Sequence, residues 1–216
     1  MSHAANAEAS LQGERTTQSF ARARPVELLL YSHFFAPSIG GVETIVLSLA
    51  KGVVLLLIGN DWRVKGLPAV LDAMGALGGS SLHLIVVGND APESFCESAR
   101  QLGIFERCHF ELPRREVLDL YAAADLYVSP SLEDSFVLPV AEAMACGLPV
   151  ITSPSAGVSE YLENGQDGFV LSDSKNWQEL AHLIQCCIQD GELRSRIGAA
   201  AARLAASWTW ERNLDT

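Results

Sequence analysis

The sequence predicts an α/β fold in which a parallel sheet is wound with helices on both faces. Three observations carry that prediction. Short, continuous apolar runs at 26–31, 53–58, 82–87, 126–128 and 150–152 have the length of strands, and strands apolar throughout, rather than alternating, are those buried on both faces. Between the runs, Leu67, Val70, Leu71, Met74 and Leu77 recur at helical spacing, which gathers them on one side of a helix. Hydrophobic residues make up 49% of the 216-residue chain and charged ones 19%, a balance that supports a packed core and excludes intrinsic disorder.

Residues 1–24 are polar and rich in small side chains, and a disordered tail is expected there. The strand expected at 26–31 runs through Ser32-His33-Phe34-Phe35-Ala36-Pro37-Ser38-Ile39-Gly40-Gly41 into a helix with Val42, Ile45, Val46 and Leu49 on one side. Strand 53–58 leads through Gly59-Asn60-Asp61-Trp62-Arg63-Val64-Lys65-Gly66 into the Leu67 helix. Of the scattered histidines His3, His33, His83, His109 and His182, His83 and His109 fall in or beside strands and read as satisfied structural residues. His33 follows a strand on the ligand side. Val117, Leu118 and Tyr121 repeat the helical spacing before strand 126–128. Over 138–146 a short helix is expected: Pro139 suits its first position, Gly147 the residue past its end, and Pro149 forbids continuation. After strand 150–152 the chain turns helical. Ser172, Asp173 or Ser174 would cap a helix running to about Gln189, a second follows from about Glu192 to Ala206, and a third begins within 208–212.

Lys and Arg total 15 against 26 Asp and Glu, a formal net charge of −11. So acidic a chain has no general attraction for nucleic acid or anionic lipid, and any phosphate it binds must be held by local donors. No apolar run reaches the length of a bilayer span, and the first 24 residues lack a secretory stretch. The five cysteines (Cys96, Cys108, Cys146, Cys186, Cys187) form no Cys-x-x-Cys pair. That argues against a disulfide framework and a thiolate zinc site, and for a reduced, cytoplasmic protein.

Open parallel sheets bind ligands beyond the C-terminal ends of their strands, and the candidate residues cluster there. Gly40 and Gly41 either let helix amides approach an anion or merely shape a tight turn. Arg63 and Lys65 either clamp a diphosphate or are ordinary solvated cations. Asp134 precedes the 138–146 helix and Glu142 lies about one turn inside it. The pair either accepts hydroxyl hydrogen bonds from a sugar and a ribose or simply reflects the preference of carboxylates for helix starts. A Gly-x-Gly-x-x-Gly fingerprint is missing after every strand, and no P-loop, His-Glu-x-x-His or Gly-x-Ser-x-Gly motif is present. NAD, FAD and a catalytic metal are therefore poor candidates.

From about Val26 onward the chain resembles the retaining glycosyltransferases of the GT-B fold, in particular family 4 (group 1). The resemblance rests on ordered motifs: Pro37-Ser38-Ile39-Gly40-Gly41-Val42-Glu43, Arg63-Val64-Lys65-Gly66, Leu120-Tyr121-Ala122-Ala123-Ala124-Asp125 and Ser129-Pro130-Ser131. The strongest is an acidic residue, seven positions, then Glu142-Ala143-Met144-Ala145-Cys146-Gly147-Leu148-Pro149; Ala156-Gly157-Val158-Ser159-Glu160 and Asn164-Gly165-Gln166-Asp167-Gly168-Phe169 follow. It implies a nucleotide-diphosphate sugar as donor, UDP- or GDP-linked, a carbohydrate or glycolipid acceptor, retention at the anomeric carbon, and no cofactor or metal. Carried over by position, it implies that Gly41, beside Gly40, approaches the donor phosphates. Arg63 and Lys65 neutralise the diphosphate, Asp134 holds sugar hydroxyls, the amides of Val137 and Leu138 add sugar contacts, and Glu142 binds the ribose. Three positions depart from the family pattern: Asp134 stands where Glu is commoner, with Glu133 beside it; Val137 stands where Gly is usual; Leu112 replaces a glycine in 110–114.

Length is the larger departure. Residues 25–52 match the first strand and helix of an acceptor domain, yet Lys51-Gly52 run straight into the first strand of the donor domain, 53–206, with 207–216 starting a C-terminal helix. Most of an acceptor domain is thus expected to be missing, which leaves a face open to self-association. A non-catalytic nucleotide-sugar-binding module, or an inactive remnant, is the alternative to an active transferase. Nucleotide-sugar epimerases are a more distant one.

Overall fold

In the computed structural model, which describes residues 52–78, 81–113 and 117–208, strand and helix alternate along the chain. The order is β1 (Val53–Ile58), α1 (Leu67–Leu77), β2 (Leu82–Val87), α2 (Glu93–Gln101), β3 (Cys108–Glu111), α3 (Leu118–Ala123), β4 (Leu126–Ser129), α4 (Leu138–Ala145), β5 (Val150–Thr152), β6 (Phe169–Val170), α5 (Trp177–Gln189) and α6 (Gly191–Ala205). Short 3₁₀ turns at Phe105–Arg107 and Gly157–Tyr161 join the series. The tail at 1–24, the strand and helix expected within 25–51, and all but the first residues of the expected third C-terminal helix lie outside the described residues.

Every pairing is parallel, in the order β3-β2-β1-β4-β5-β6. This is the doubly wound α/β sheet that the apolar strands predict. Alternate residues of β1 enter two different cores. Leu55 and Leu57 pack with Leu67, Val70 and Met74 of α1, Phe95 of α2, and Leu180 and Ile184 of α5. Val54 and Leu56 pack with Tyr121 of α3 and Val140, Ala143 and Met144 of α4. A strand with a core on each side has no room for a polar position, hence the unbroken Val-Val-Leu-Leu-Leu-Ile.

Three elements escape the sequence reading. In α2 only Phe95 and Ala99 are buried, so its polar surface hides the period. β3 is a four-residue edge strand with one buried residue, and β6 has two residues. The cap of α5 is Asn176, not Ser172, Asp173 or Ser174: its side chain accepts the Glu179 amide at 3.1 Å. Ser172 instead donates its amide to the Glu179 carboxylate, and Asp173 accepts from the Lys175 amide. α6 begins at Gly191, where Asp190 accepts the Leu193 amide at 2.8 Å. α4 starts at Leu138, so Pro139 is its second residue, still among the amides that lack an intrahelical partner.

The order places β4 beside β1 although β3 precedes it in the chain, so the winding reverses between β1 and β4. β1 pairs with β2 along all six residues but with β4 only through Leu55–Leu126 and Leu56–Tyr127. Beyond these pairs the fully buried Tyr127 closes the gap, its hydroxyl accepting from the Ile58 amide at 3.3 Å and donating to the Ile58 carbonyl at 3.2 Å. No described helix is long and apolar enough to cross a membrane.

At the other edge, His83 and His109 stack with centroids 5.9 Å apart and 16° between planes. They are less well satisfied than their strand positions suggest: His83 Nδ1 and His109 Nε2 are buried and find no partner among the described residues. Burial lowers both imidazoles below the ordinary value of 6.5; the Arg107 charge adds to the effect on His83, and His83 to that on His109. Below pH 6.5 the unfolded chain therefore binds more protons than the folded one. Stability from this source is complete above that pH and is lost as the pH falls through it. We expect urea midpoints to decline from pH 7 to about pH 5, and the slope to flatten in a His83→Gln/His109→Gln variant. An identical slope in the variant would remove the pair from the acid response.

Candidate functional site at the switch point of the sheet

Two loops flank the opening between β1 and β4. The first, 59–66, is bent by left-handed residues: Asp61 has φ 57° and Gly66 φ 81°. Gly66 has no alternative, since a Cβ there would lie 2.1 Å from the Pro130 carbonyl oxygen. The loop is fastened to its neighbours by polar contacts. Asp90, after β2, accepts the Asp61 amide at 2.9 Å and the Trp62 amide at 3.1 Å. Asn60 accepts the Asn89 amide at 3.0 Å, and Val64 accepts the Leu132 amide at 2.7 Å. Trp62 anchors the loop from below, buried against Phe95 and Phe110 with centroids 5.6 and 5.5 Å away.

Arg63 and Lys65 stand on this anchored loop. The Arg63 guanidinium is exposed and lies 5.5 Å over the Phe95 ring. Lys65 reaches across the opening, and its Nζ donates to the Asp134 carboxylate. The two side chains are only 18% and 12% exposed, so the ion pair is partly withdrawn from water. Asp134, not Glu133, is therefore the carboxylate that faces the opening.

The second loop, 130–137, is held from beneath by buried hydroxyls. Ser129 and Ser131 share a hydrogen bond of 3.1 Å, Ser153 donates to the Ser131 carbonyl, and Thr152 donates to that of Ser129. Asp134 is pinned by its backbone: its amide donates to the Ser155 carbonyl and its carbonyl accepts from the Gly157 amide. A Cβ at Gly157 would come within 1.9 Å of the Ser135 oxygen, so the close approach needs glycine.

Val137 precedes α4 with φ 67° and ψ 69°. The departure from glycine thus does place a β-branched residue in the left-handed region, at a cost of about 1–2 kcal/mol. Its side chain is 3% exposed and packs in the α3–α4 core, and burying a valine is worth about 1.5 kcal/mol or more. The strain is offset locally. Neither the Val137 nor the Leu138 amide has an acceptor among the described residues, so the positive end of the α4 dipole carries free donors.

Glu142 projects from the exposed side of α4, where its Oε2 accepts the Tyr121 hydroxyl at 2.7 Å. Burial and the Glu142 hydrogen bond raise the Tyr121 hydroxyl far above its usual range, so it remains a donor and fixes the carboxylate. Glu142 also rims a groove of about 390 Å³ between α4 and the end of α6, with Leu138, Phe136 and Trp208 on its walls. Leu112 is 78% exposed. Gly40 and Gly41 lie outside the described residues.

Of the residues singled out in the sequence, Lys65 and Asp134 are brought into contact; Arg63 shares the loop of Lys65, Val137 that of Asp134, and Leu138 and Glu142 belong to α4. Asp90 and Tyr121 were missed. Asp90 follows a strand at the same sheet edge, a signal available in the sequence. Tyr121 looked like a core residue of helical spacing, and only packing reveals its hydroxyl contact. The two loops and α4 thus carry cations and free amides, groups that attract an anion, and carboxylates, groups that accept from hydroxyls. Asp90→Ala leaves two loop amides without their acceptor. We expect a loss of about 1–2 kcal/mol in urea unfolding, and a smaller one for Asp90→Asn, which keeps one oxygen.

Comparison with known proteins agrees with the geometry. Residues 46–204 match the family model of glycosyl transferases group 1. The chain is 32% identical over 143 residues to the lipopolysaccharide glucosyltransferase WaaG of Escherichia coli K12, covering 65% of this chain and 38% of that protein. It is 33% identical over 144 residues to the D-inositol 3-phosphate glycosyltransferase of Rhodococcus jostii, covering 63% and 32%. Among solved structures, WaaG superposes with a TM-score of 0.72 at 25% identity, over 88% of this chain and 50% of that one. Anabaena Alr3699/HepE in complex with UDP-glucose superposes with 0.68 at 26%, over 79% and 49%. The chain thus spans about a third to a half of the length of these relatives. Through the matched stretch, and with the sheet and the two loops that the match contains, the chain belongs to the glycosyl transferases group 1 family.

Proposed function

We propose that the described residues bind the donor of a retaining glycosyltransferase, a nucleoside-diphosphate sugar, and that the protein transfers the sugar to a carbohydrate or glycolipid acceptor. The observation that carries this reading is the meeting of Lys65 and Asp134 across the β1–β4 opening. A sugar nucleotide has an anionic diphosphate beside a ring of hydroxyls, the two chemistries these side chains satisfy. The Anabaena relative solved with UDP-glucose supports the donor class.

In this reading the donor replaces the ion pair. Its diphosphate takes over Lys65, with Arg63 free to swing from Phe95, and its sugar hydroxyls take over Asp134. The amides of Val137 and Leu138 add neutral donors at the positive end of α4. Glu142, aligned by Tyr121, accepts the ribose hydroxyls. Breaking the anomeric C–O bond leaves its electron pair on the terminal phosphate, which adds a negative charge to the already doubly charged diphosphate. Cations and amides already aimed at that position stabilise the charge without reorganising, which lowers the barrier by several kcal/mol. Side-chain cations and helix amides suffice for this role, so the proposal calls on neither a cofactor nor a metal.

Thermal melting with UDP, GDP and their sugar conjugates tests the reading. A ligand at 100 times its Kd stabilises the fold by about 2.7 kcal/mol, and the resulting rise in Tm should disappear in Lys65→Ala. No rise with any of them would overturn donor binding. Asp134→Asn should bind free nucleoside diphosphate several-fold more tightly than the wild type, because Lys65 no longer leaves a carboxylate to meet the phosphate, while losing sugar transfer. Equal affinity in titration calorimetry would count against the exchange. A nucleotide-dependent rise in Tm without transfer to any acceptor would identify a binding module instead of a transferase.

A further inference from the structure

A second cluster of ligating side chains stands apart from the donor site, on α5. His182 and Cys186 are four residues apart, so they lie one helical turn from each other on the same side of the helix. That side is turned away from the core: Leu180, Ala181, Ile184 and Cys187 are the buried residues of α5, whereas His182 is exposed and Cys186 half-buried. The Cys186 Sγ lies 3.7 Å from the His182 Nε2. No other hydrogen bond or ion pair of either side chain is found among the described residues. The nearby Glu179 is already engaged by Ser172 and Asn176.

The separation suits an ion between them. A zinc ion with Zn–S of about 2.3 Å and Zn–N of about 2.05 Å, at the tetrahedral angle, holds its two donor atoms about 3.6 Å apart. The separation of the pair thus matches that of two ligands on one ion, and both stand on a single helical turn. Thiolate and imidazole together select borderline-soft ions such as zinc over magnesium or calcium. The spacing is His-x-x-x-Cys, not the Cys-x-x-Cys of closed structural sites.

We propose that His182 and Cys186 form a bidentate surface site for a zinc-type divalent cation. On binding, the Cys186 S–H bond breaks, its proton passes to solvent and a sulfur–metal bond forms. His182 contributes the Nε2 lone pair and keeps its proton on Nδ1. No third His, Cys, Asp or Glu completes a cluster among the described residues, so two positions stay with water. The site is an open one, outside the donor-binding loops and independent of the function proposed for them.

Cobalt(II), which reports a thiolate ligand by its charge-transfer absorption, is the probe, used with the reduced full chain. The wild type should develop that band with one equivalent, and zinc should abolish it by displacement. Cys186→Ser should show no band. His182→Ala should bind at least 10-fold more weakly, since even outer-shell partners of a metal ligand are worth 10–100-fold. Cys146→Ser, which removes the exposed thiol of α4's C-terminal end, should behave as the wild type. Both α5 substitutions lie on the outer side of the helix, and an unchanged melting curve without metal confirms that they fold. No band in the wild type, a band that persists in Cys186→Ser, or affinity unchanged in His182→Ala would each overturn the site.

Discussion

An interior parallel strand is paired on both sides, and at the point where the winding of this sheet reverses one such strand lacks that second pairing at its C-terminal end. Here the strand is β1. It is paired in register with β2 for its whole length and with β4 at two positions only. The opening this leaves is bridged below by the Tyr127 hydroxyl and above by the Lys65–Asp134 ion pair. The two loops, the free amides at the start of α4 and the placement of Glu142 all follow from that gap, because loops after β1 and β4 have nowhere else to go.

The electrostatics are local in the same sense. A chain with a net charge of −11 repels anions at a distance, so a phosphate can be held only where cations and amides converge within contact range. Lys65 and Arg63 are on one short loop, and that loop is immobilised by Asp90, itself a carboxylate, through backbone amides instead of through the cations. The negative charge that shapes the loop thus engages neither the lysine nor the arginine. Lys65 in turn is paired with Asp134, which keeps a partly buried ammonium from standing alone.

Among the described residues, the left-handed non-glycine positions lie where the loops turn. Val137 occupies the left-handed region and is kept there by the burial of its side chain, so the same residue that strains the loop also ties it to the α3–α4 core. Stability and site geometry are coupled at that position, and at Gly66 and Gly157, where neighbouring carbonyl oxygens exclude any Cβ.

Family membership was legible in the ordered motifs, and the α/β class and four of the strands were legible because burial on both sides of a sheet forces unbroken apolar runs, a pattern that needs no knowledge of neighbours. Helices with a broad apolar side, such as α1 and α5, were legible for the same reason. α2 and β3 were not, since each buries so little that no period survives. The candidate residues Arg63, Lys65, Asp134 and Glu142 could be named from spacing and position, yet their partners could not: Asp134 rather than Glu133 facing Lys65, Tyr121 holding Glu142, Asp90 fastening the loop. These contacts join residues 21 to 69 positions apart. A linear sequence records which groups are present, but only the order of strands in the folded sheet decides which of them meet.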